Sequence, residues 1–315
     1  MLNFVPGPIR GAVSFSGYLI NTLIWVPLLL IMALFKLIGP FEGWRRFCDR
    51  IINAIATNWI SVNSFNMRVM GGIEWDICGL EGLEKKQWYL VISNHQSWVD
   101  ILVLQKIFNR RIPFLKFFLK KELIWVPVMG LAWWALDYPF MKRYSKSFLK
   151  KNPHLKGKDV EITKKACDKF KRIPVSVMNF VEGTRLTAAK QRRQQSPYRH
   201  LLKPKSGGIA MTLAIMGEQF HRLLDVTIVY PEGVETFWGM LCGRLSKVRV
   251  QVNALPVAAE FIGDYFEDPV FRANFQQHLN ALWEEKDRRI GALLAESGEP
   301  AGEAAEEGDM VLAAD

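Results

Sequence analysis

Hydrophobic and polar positions follow three patterns along this chain. Residues 11–35 carry no charge, and the part from 18 to 35 reads YLINTLIWVPLLLIMALF. As a helix rising about 1.5 Å per residue, the uncharged run is roughly 37 Å long, enough for a hydrocarbon core of about 30 Å. It predicts an N-terminal membrane-anchoring helix over about residues 13–36, kinked at Pro27 as membrane helices tolerate. The run is too long for a cleaved signal peptide, and no small-x-small site ends it. A buried core helix is the alternative. Arg10 stands alone before the run, whereas Lys36, Arg45, Arg46 and Arg50 follow it. The positive-inside rule then puts the remainder of the chain in the cytoplasm.

Residues 40–67 read as helix. Beyond them the pattern alternates. Runs rich in Val and Ile, bounded by Gly, Pro or Asn, predict strands at 67–75, 88–93, 174–181, 225–230 and 247–255. Helical stretches fall near 98–109, 158–171, 207–219 and 268–295. The last carries Phe271, Phe275, Leu279, Leu282 and Trp283 as a core stripe. Strands separated by helices predict an α/β fold, a mixed β-sheet flanked by helices. A second apolar stretch, 123–140, is at the lower limit for spanning. Before it, Phe114, Phe117, Phe118 and Leu119 alternate with Lys116, Lys120 and Lys121. We expect residues 113–140 to dock at the membrane interface or in the core and not to form a second span. The domains expected are an anchor at 1–40, a body at 41–295 and a tail at 296–315.

Charge sharpens this division. The 315 residues include 41 Lys+Arg and 31 Asp+Glu, and half are hydrophobic. That composition excludes a disordered chain, and four dispersed Cys exclude a disulfide scaffold. With five His they give no zinc-finger spacing, and no metal is expected. Residues 296–315 hold seven acids and no Lys or Arg, so we expect a disordered acidic tail. The other 31 − 7 = 24 acids leave residues 1–295 at +17. A body so basic fits an anionic partner: a lipid surface, a phosphorylated substrate or nucleic acid.

Candidate chemistry sits where strands end. Asn94-His95-Gln96-Ser97-Trp98-Val99-Asp100 follows the strand WYLVIS. His95 can take a proton near neutral pH, and Asp100 could orient its ring. Positions five apart lie about 140° around a helix. The two therefore meet only if His95 sits in the turn before the helix and Asp100 one turn inside it. Without that geometry they are a polar loop residue and a helix-start acid. Phe180-Val181-Glu182-Gly183-Thr184-Arg185 follows the strand PVSVMNF. Gly permits close approach, Thr offers a hydroxyl, and Arg forks onto a phosphate. From Gly183 to Gly217 there is no acid, and Lys205-Ser206-Gly207-Gly208 opens a helix whose N-terminus favours an anion. A third block, Pro139-Phe140-Met141-Lys142-Arg143, turns from apolar to basic.

In this order the blocks resemble the glycerolipid acyltransferase family that includes 1-acyl-sn-glycerol-3-phosphate (lysophosphatidic acid) acyltransferases, most closely a bacterial inner-membrane subgroup. Asn-His-x4-Asp is matched by Asn94, His95 and Asp100. Aromatic-x-x-Arg is matched by Phe140 and Arg143, Phe-x-Glu-Gly-Thr-Arg by Phe180 and Glu182 to Arg185, and Lys-x-Gly by Lys205 and Gly207. A Pro often stands where this chain has Val181, and the fourth block, residues 226–231, is looser than the family's. The resemblance implies a membrane-bound enzyme. It would transfer an acyl group from acyl-CoA or acyl-carrier protein, as co-substrate, to the free hydroxyl of a lysophospholipid. No bound cofactor is implied. His95 and Asp100 would be catalytic. Asn94, Arg143, Glu182, Gly183, Thr184, Arg185 and Lys205 would bind substrate, with Glu182 positioning Arg185 or nearby backbone. Glycerol-3-phosphate or another lysophospholipid is an alternative acceptor. The rival of another class is a membrane-tethered binding protein for nucleic acid or acidic lipid with a vestigial site, although no nucleic-acid motif is recognisable.

Overall fold

A computed structural model describes residues 5–39, 41–141, 158–265 and 267–298. Arg143, Lys142 and residues 299–315 of the acidic tail lie outside the described residues. Two long helices, α1 (Gly7–Ile38) and α2 (Glu42–Gly71), precede β1 (Glu74–Cys78) and β2 (Trp88–Ser93). Then come α3 (Val99–Phe108), β3 (Leu115–Phe117), β4 (Leu119–Lys120), α4 (Met129–Ala135) and β5 (Phe140–Met141). The second half holds α5 (Lys158–Phe170), β6 (Ser176–Phe180), α6 (Ala188–Gln194), α7 (Ser206–Met216), β7 (Phe220–Val229), α8 (Phe237–Leu241), β8 (Lys247–Leu255) and α9 (Pro269–Ala295).

Six strands form one mixed sheet in the order β1-β8-β7-β2-β6-β3. β7, β2, β6 and β3 run parallel, β8 is antiparallel to β7, and β1 is parallel to β8. Parallel strands must be covered on both faces, which explains the unbroken apolar run of β2. Its alternate residues enter two cores. Tyr89 and Val91 pack with α3 and the α1–α2 side, whereas Leu90 and Ile92 pack with α5, α7 and α9. α9 starts cleanly, with Asp268 accepting from the N–H groups of Val270 and Phe271 and Pro269 in the first turn.

β7 begins at Phe220, five residues before the strand expected at 225, and the following segments also differ from the sequence expectation. Residues 67–71 continue α2, which ends at Gly72 in the left-handed conformation (φ 63°), and the strand begins only at Glu74. Residues 115–117, expected in an interfacial or core segment, form the buried edge strand β3. There Lys116 donates to the carbonyl of Leu136, and burial pushes its ammonium down to about 8. The α-helix in the stretch from 123 is the seven-residue α4, about 10 Å long and far too short to span. It buries Ala132 and Ala135 and turns Trp125, Val126, Leu131 and Trp134 outward, Trp125 being 83% exposed.

α1 is long and apolar enough to cross a bilayer, yet both of its ends are fastened to the body. Arg10 donates through Nε and Nη2 to the carbonyl of Cys242 at the end of α8 (2.9 and 2.6 Å). Lys36 pairs with Asp49 of α2 (2.6 Å) and with Asp137 after α4. Between them Asn21 donates to Asn63 (2.8 Å), and Asn66 donates to the carbonyl of Ser14 (2.9 Å). The inward face of the helix is polar in its first half and apolar in its second, where Val26, Leu29 and Ala33 are buried. Ser14 and Asn21 face inward, while Ile9, Val13, Ile20, Ile24, Leu28 and Ile31 face outward.

Candidate active site

The topology sets β7, β2 and β6 side by side and parallel, so the segments leaving their C-terminal ends converge. They begin with Tyr230, Asn94 and Val181. In open α/β sheets this is the end where ligands bind. Asn94 makes the first link. Its Nδ2 donates to the carbonyl of Ile228 (2.8 Å), and its Oδ1 accepts the Ile228 N–H (2.9 Å). With both amide atoms so engaged and the side chain buried, Asn94 clasps β2 to β7 and faces no ligand space.

His95 lies in the loop before α3, and Asp100 is the second residue of that helix, the arrangement their spacing requires. Nδ1 of His95 is 2.8 Å from Oδ2 of Asp100. The same Oδ2 accepts the N–H groups of Gln96 (2.6 Å) and Ser97 (2.9 Å), so the carboxylate also holds the loop that precedes the helix. Its other oxygen, Oδ1, accepts the phenolic O–H of Tyr230 at 2.5 Å. The imidazole lies flat on Phe180. Its side chain is 13% exposed, and Nε2 has no protein hydrogen-bond partner among the described residues. With Nδ1–H held by Asp100, the lone pair sits on Nε2, as a proton acceptor needs.

The segment after β6 grips His95 by its backbone. Glu182 Oε1 accepts the His95 N–H (3.2 Å), and the Leu186 N–H donates to the His95 carbonyl (2.8 Å). Glu182 is fully buried and also accepts the Leu202 N–H through Oε2 (3.4 Å). Burial pushes its carboxyl up to about 8 against those two N–H groups. It ties three loops together and does not reach into open space. Gly183 turns the chain with φ 71°, a region that favours glycine, and its N–H returns to the Phe180 carbonyl (2.8 Å). Thr184 and Arg185 follow, partly exposed. The Arg185 guanidinium lies 5.3 Å over the ring of Trp98 and pairs with no carboxylate among the described residues. Lys205 is exposed where α7 begins, and its N–H donates to the Val181 carbonyl (2.8 Å).

The structure thus gathers Asn94, His95, Asp100, Glu182, Gly183, Thr184, Arg185 and Lys205 at one end of the sheet. Sequence reasoning missed Tyr230, Trp98 and the buried pair behind the site. In that pair Lys286 of α9 meets Asp225 of β7 at 2.5 Å and also donates to the Val226 carbonyl. Trp98 stood inside the first block as an exposed aromatic beside a candidate base, a signal that could have been used. A cavity of about 460 Å³ lined by Arg50, Lys85, Arg110 and Phe114 lies at the opposite end of the sheet, at the starts of β2, β3 and β6.

A family model described as Acyltransferase matches residues 75–235. The chain is 31% identical over 140 residues to a 1-acyl-sn-glycerol-3-phosphate acyltransferase of Saccharomyces cerevisiae, covering 44% of this chain and 42% of that one. It is 32% identical over 97 residues to one of Pseudomonas aeruginosa, covering 31% and 32%. To the human alpha form it is 28% identical over 121 residues, 38% of each chain. The chain thus spans less than half the length of these three relatives. The crystal structure of the 1-acyl-sn-glycerophosphate (LPA) acyltransferase from Thermotoga maritima superposes with a TM-score of 0.47 at 17% identity, covering 87% of this chain and 98% of that one.

Proposed function

Because the chain belongs to the acyltransferase family, its matched residues covering half of its length, we propose that it is an O-acyltransferase. It would move a fatty acyl group from a thioester to the free hydroxyl of 1-acyl-sn-glycerol-3-phosphate, giving phosphatidic acid. The relatives' names suggest the acceptor. The observation that carries the chemistry is the 2.8 Å contact between His95 and Asp100, with Nε2 left open.

A lipid alcohol is a weak nucleophile until a base takes its proton. In this reading Nε2 of His95 accepts that proton as the alcohol oxygen attacks the thioester carbonyl. Asp100 stabilises the imidazolium that forms. As the tetrahedral adduct collapses the new C–O ester bond remains, the C–S bond breaks, and the imidazolium returns its proton to the departing thiolate. No acyl-enzyme is needed. Arg185 and Lys205 would hold the acceptor's phosphate and so fix its hydroxyl near the imidazole. Arg185, without a carboxylate partner and braced on Trp98, suits a bidentate hold on that anion. Arg143, from the block after β5, is proposed for the same anion on the resemblance alone. Acyl-CoA and acyl-carrier protein present the same thioester, and either would serve as donor.

The outward residues of α1 and the exposed aromatics around α4 leave much apolar surface uncovered. A soluble monomer rarely exposes so much. We read it as the membrane-binding face, lying along the cytoplasmic leaflet (the inner membrane in a bacterium). Replacing Trp125 and Leu131 with Asp should release the protein from anionic vesicles in flotation. Undiminished flotation would refute that reading.

Acceptor identity is tested with purified protein in mixed micelles. Thiol release from one acyl-CoA is followed with 1-acyl-sn-glycerol-3-phosphate, glycerol-3-phosphate and neutral lysophospholipids, for wild type and His95→Ala. The expected result is preference for the first acceptor and a loss of about 10²–10⁴-fold in His95→Ala. Equal turnover by the two proteins would remove His95 from the chemistry. Salt-sensitive nucleic-acid binding with no transfer to any acceptor would favour a binding protein.

A further inference from the structure

We propose that Tyr230 is a positioning residue for the His95–Asp100 pair, its hydroxyl holding the carboxylate oxygen that the imidazole does not use and thereby setting how strongly Asp100 draws a proton onto His95. The effect on turnover rests on His95 acting as the base, as read above; the effect on the ring does not.

The geometry divides Asp100 in two. Oδ2 takes the imidazole and the N–H groups of Gln96 and Ser97. Oδ1 takes only the Tyr230 hydroxyl, at 2.5 Å, a short bond of the charge-assisted kind. Both residues are buried, Asp100 at 1% exposure and Tyr230 at 5%, so no water stands ready to replace the phenol. Burial and the neighbouring carboxylate push the phenol well above its usual 10, so it remains a donor wherever an imidazole can titrate. The other charged groups around the pair reach it differently. Glu182, from the end of β6, touches the His95 N–H. Lys286 of α9 acts on Glu182 from behind. Arg185 lies over Trp98. Among the described residues only Tyr230 donates to Oδ1.

A donor on Oδ1 draws charge away from Oδ2. Without it the carboxylate becomes a stronger partner for imidazolium, and His95 holds its proton to higher pH. It is then blocked as a base over a wider acid range. The ring of Tyr230 fills space that phenylalanine also fills, so Tyr230→Phe removes the hydroxyl alone.

The test compares wild type with Tyr230→Phe in detergent micelles by two readouts. One is the acid limb of the kcat/KM profile with acyl-CoA and 1-acyl-sn-glycerol-3-phosphate. The other is the titration of the His95 ring followed by NMR of labelled histidine, which needs no turnover. The limb and the ring midpoint should both move upward by about half to one pH unit. Maximal kcat should fall about tenfold, and acceptor KM should hold. In an Asp100→Asn background the same substitution should have no further effect on kcat/KM. Should the phenylalanine variant not fold, 3-fluorotyrosine at position 230 keeps the ring and makes its hydroxyl a better donor, and the shift should then be downward. A folded variant whose limb and ring midpoint both match wild type overturns the proposal. A moved ring midpoint in a protein that acylates no acceptor upholds the role of Tyr230 and defeats the functional reading. An active enzyme whose midpoint does not move does the reverse.

Discussion

Phe180 lies against the imidazole of His95 with ring centroids 3.9 Å apart and planes 14° from parallel. Phe117 of the edge strand β3 backs it, with centroids 6.2 Å apart. One face of the imidazole is thereby closed, which fixes the tilt of the ring. Phe180→Ala should lower kcat about tenfold by letting the ring tilt, and should destabilise the fold by about 2 kcal/mol, less than for a fully buried Phe. Steady-state kinetics and thermal melts of the same preparation check both. An unchanged kcat would mean that Asp100 alone fixes the ring.

Arg185 and Trp98 should separate binding from chemistry. Removing a charge-assisted contact to phosphate by Arg185→Ala should raise acceptor KM by about 10–100-fold. Trp98→Leu should raise it only about two- to fivefold, the size of an exposed cation–π contact. Neither should much alter kcat at saturating acceptor. A fall in kcat with constant KM in Arg185→Ala would contradict the phosphate role.

Glu182 makes stability depend on pH. Burial lifts its carboxyl from 4.5 to about 8, so across that interval the folded protein holds a proton that the unfolded chain releases. This group's contribution is greatest below about 4.5, declines as pH rises towards 8, and is level above it, with a slope of at most about 1.4 kcal/mol per pH unit. Glu182→Gln should abolish that slope. It should also lower stability in acid by about 1–2 kcal/mol, because an amide N–H must then face one of the two backbone donors. Denaturant melts at a series of pH values would reveal a persisting slope if the assignment is wrong.

Asp225 lies between two cations of α9, Lys286 at 2.5 Å and Arg289 at 2.9 Å, and burial drives the lysine downward while Asp225 pulls it back. Asp225→Ala should cost about 3–5 kcal/mol because the ammonium loses its counter-charge. Adding Lys286→Met should restore part of that loss, because Arg289 still lacks the carboxylate. Equal stability of the single and double variants would show that the penalty comes from the cavity and not the charge.

Strands β2 and β8 were legible to the residue, because unbroken or alternating apolar runs between turn residues leave few other solutions. The His95–Asp100 contact was legible as a condition, that His95 precede the helix and Asp100 lie just inside it. The end of α2 was not. Met67, Val69 and Met70 suit either period, and only the left-handed Gly72 marks the break. Nor was β3, since a lysine between Leu115 and Phe117 looks interfacial until Leu136 offers Lys116 a carbonyl. Tyr230 stood inside the fourth block, residues 226–231, but nothing there tied it to Asp100. Its partner lies 130 positions away, and only the neighbouring of β7 and β2 brings them together.

Fixing α1 through Arg10 at one end and Lys36 at the other makes it a stiff runner about 48 Å long, at 1.5 Å per residue. A runner can lie flush on a flat sheet but only tangentially on a small sphere. On the membrane-binding reading proposed above, the protein should act faster on large vesicles than on small ones of equal lipid content, and the height of His95 above the lipid should not vary with bilayer thickness.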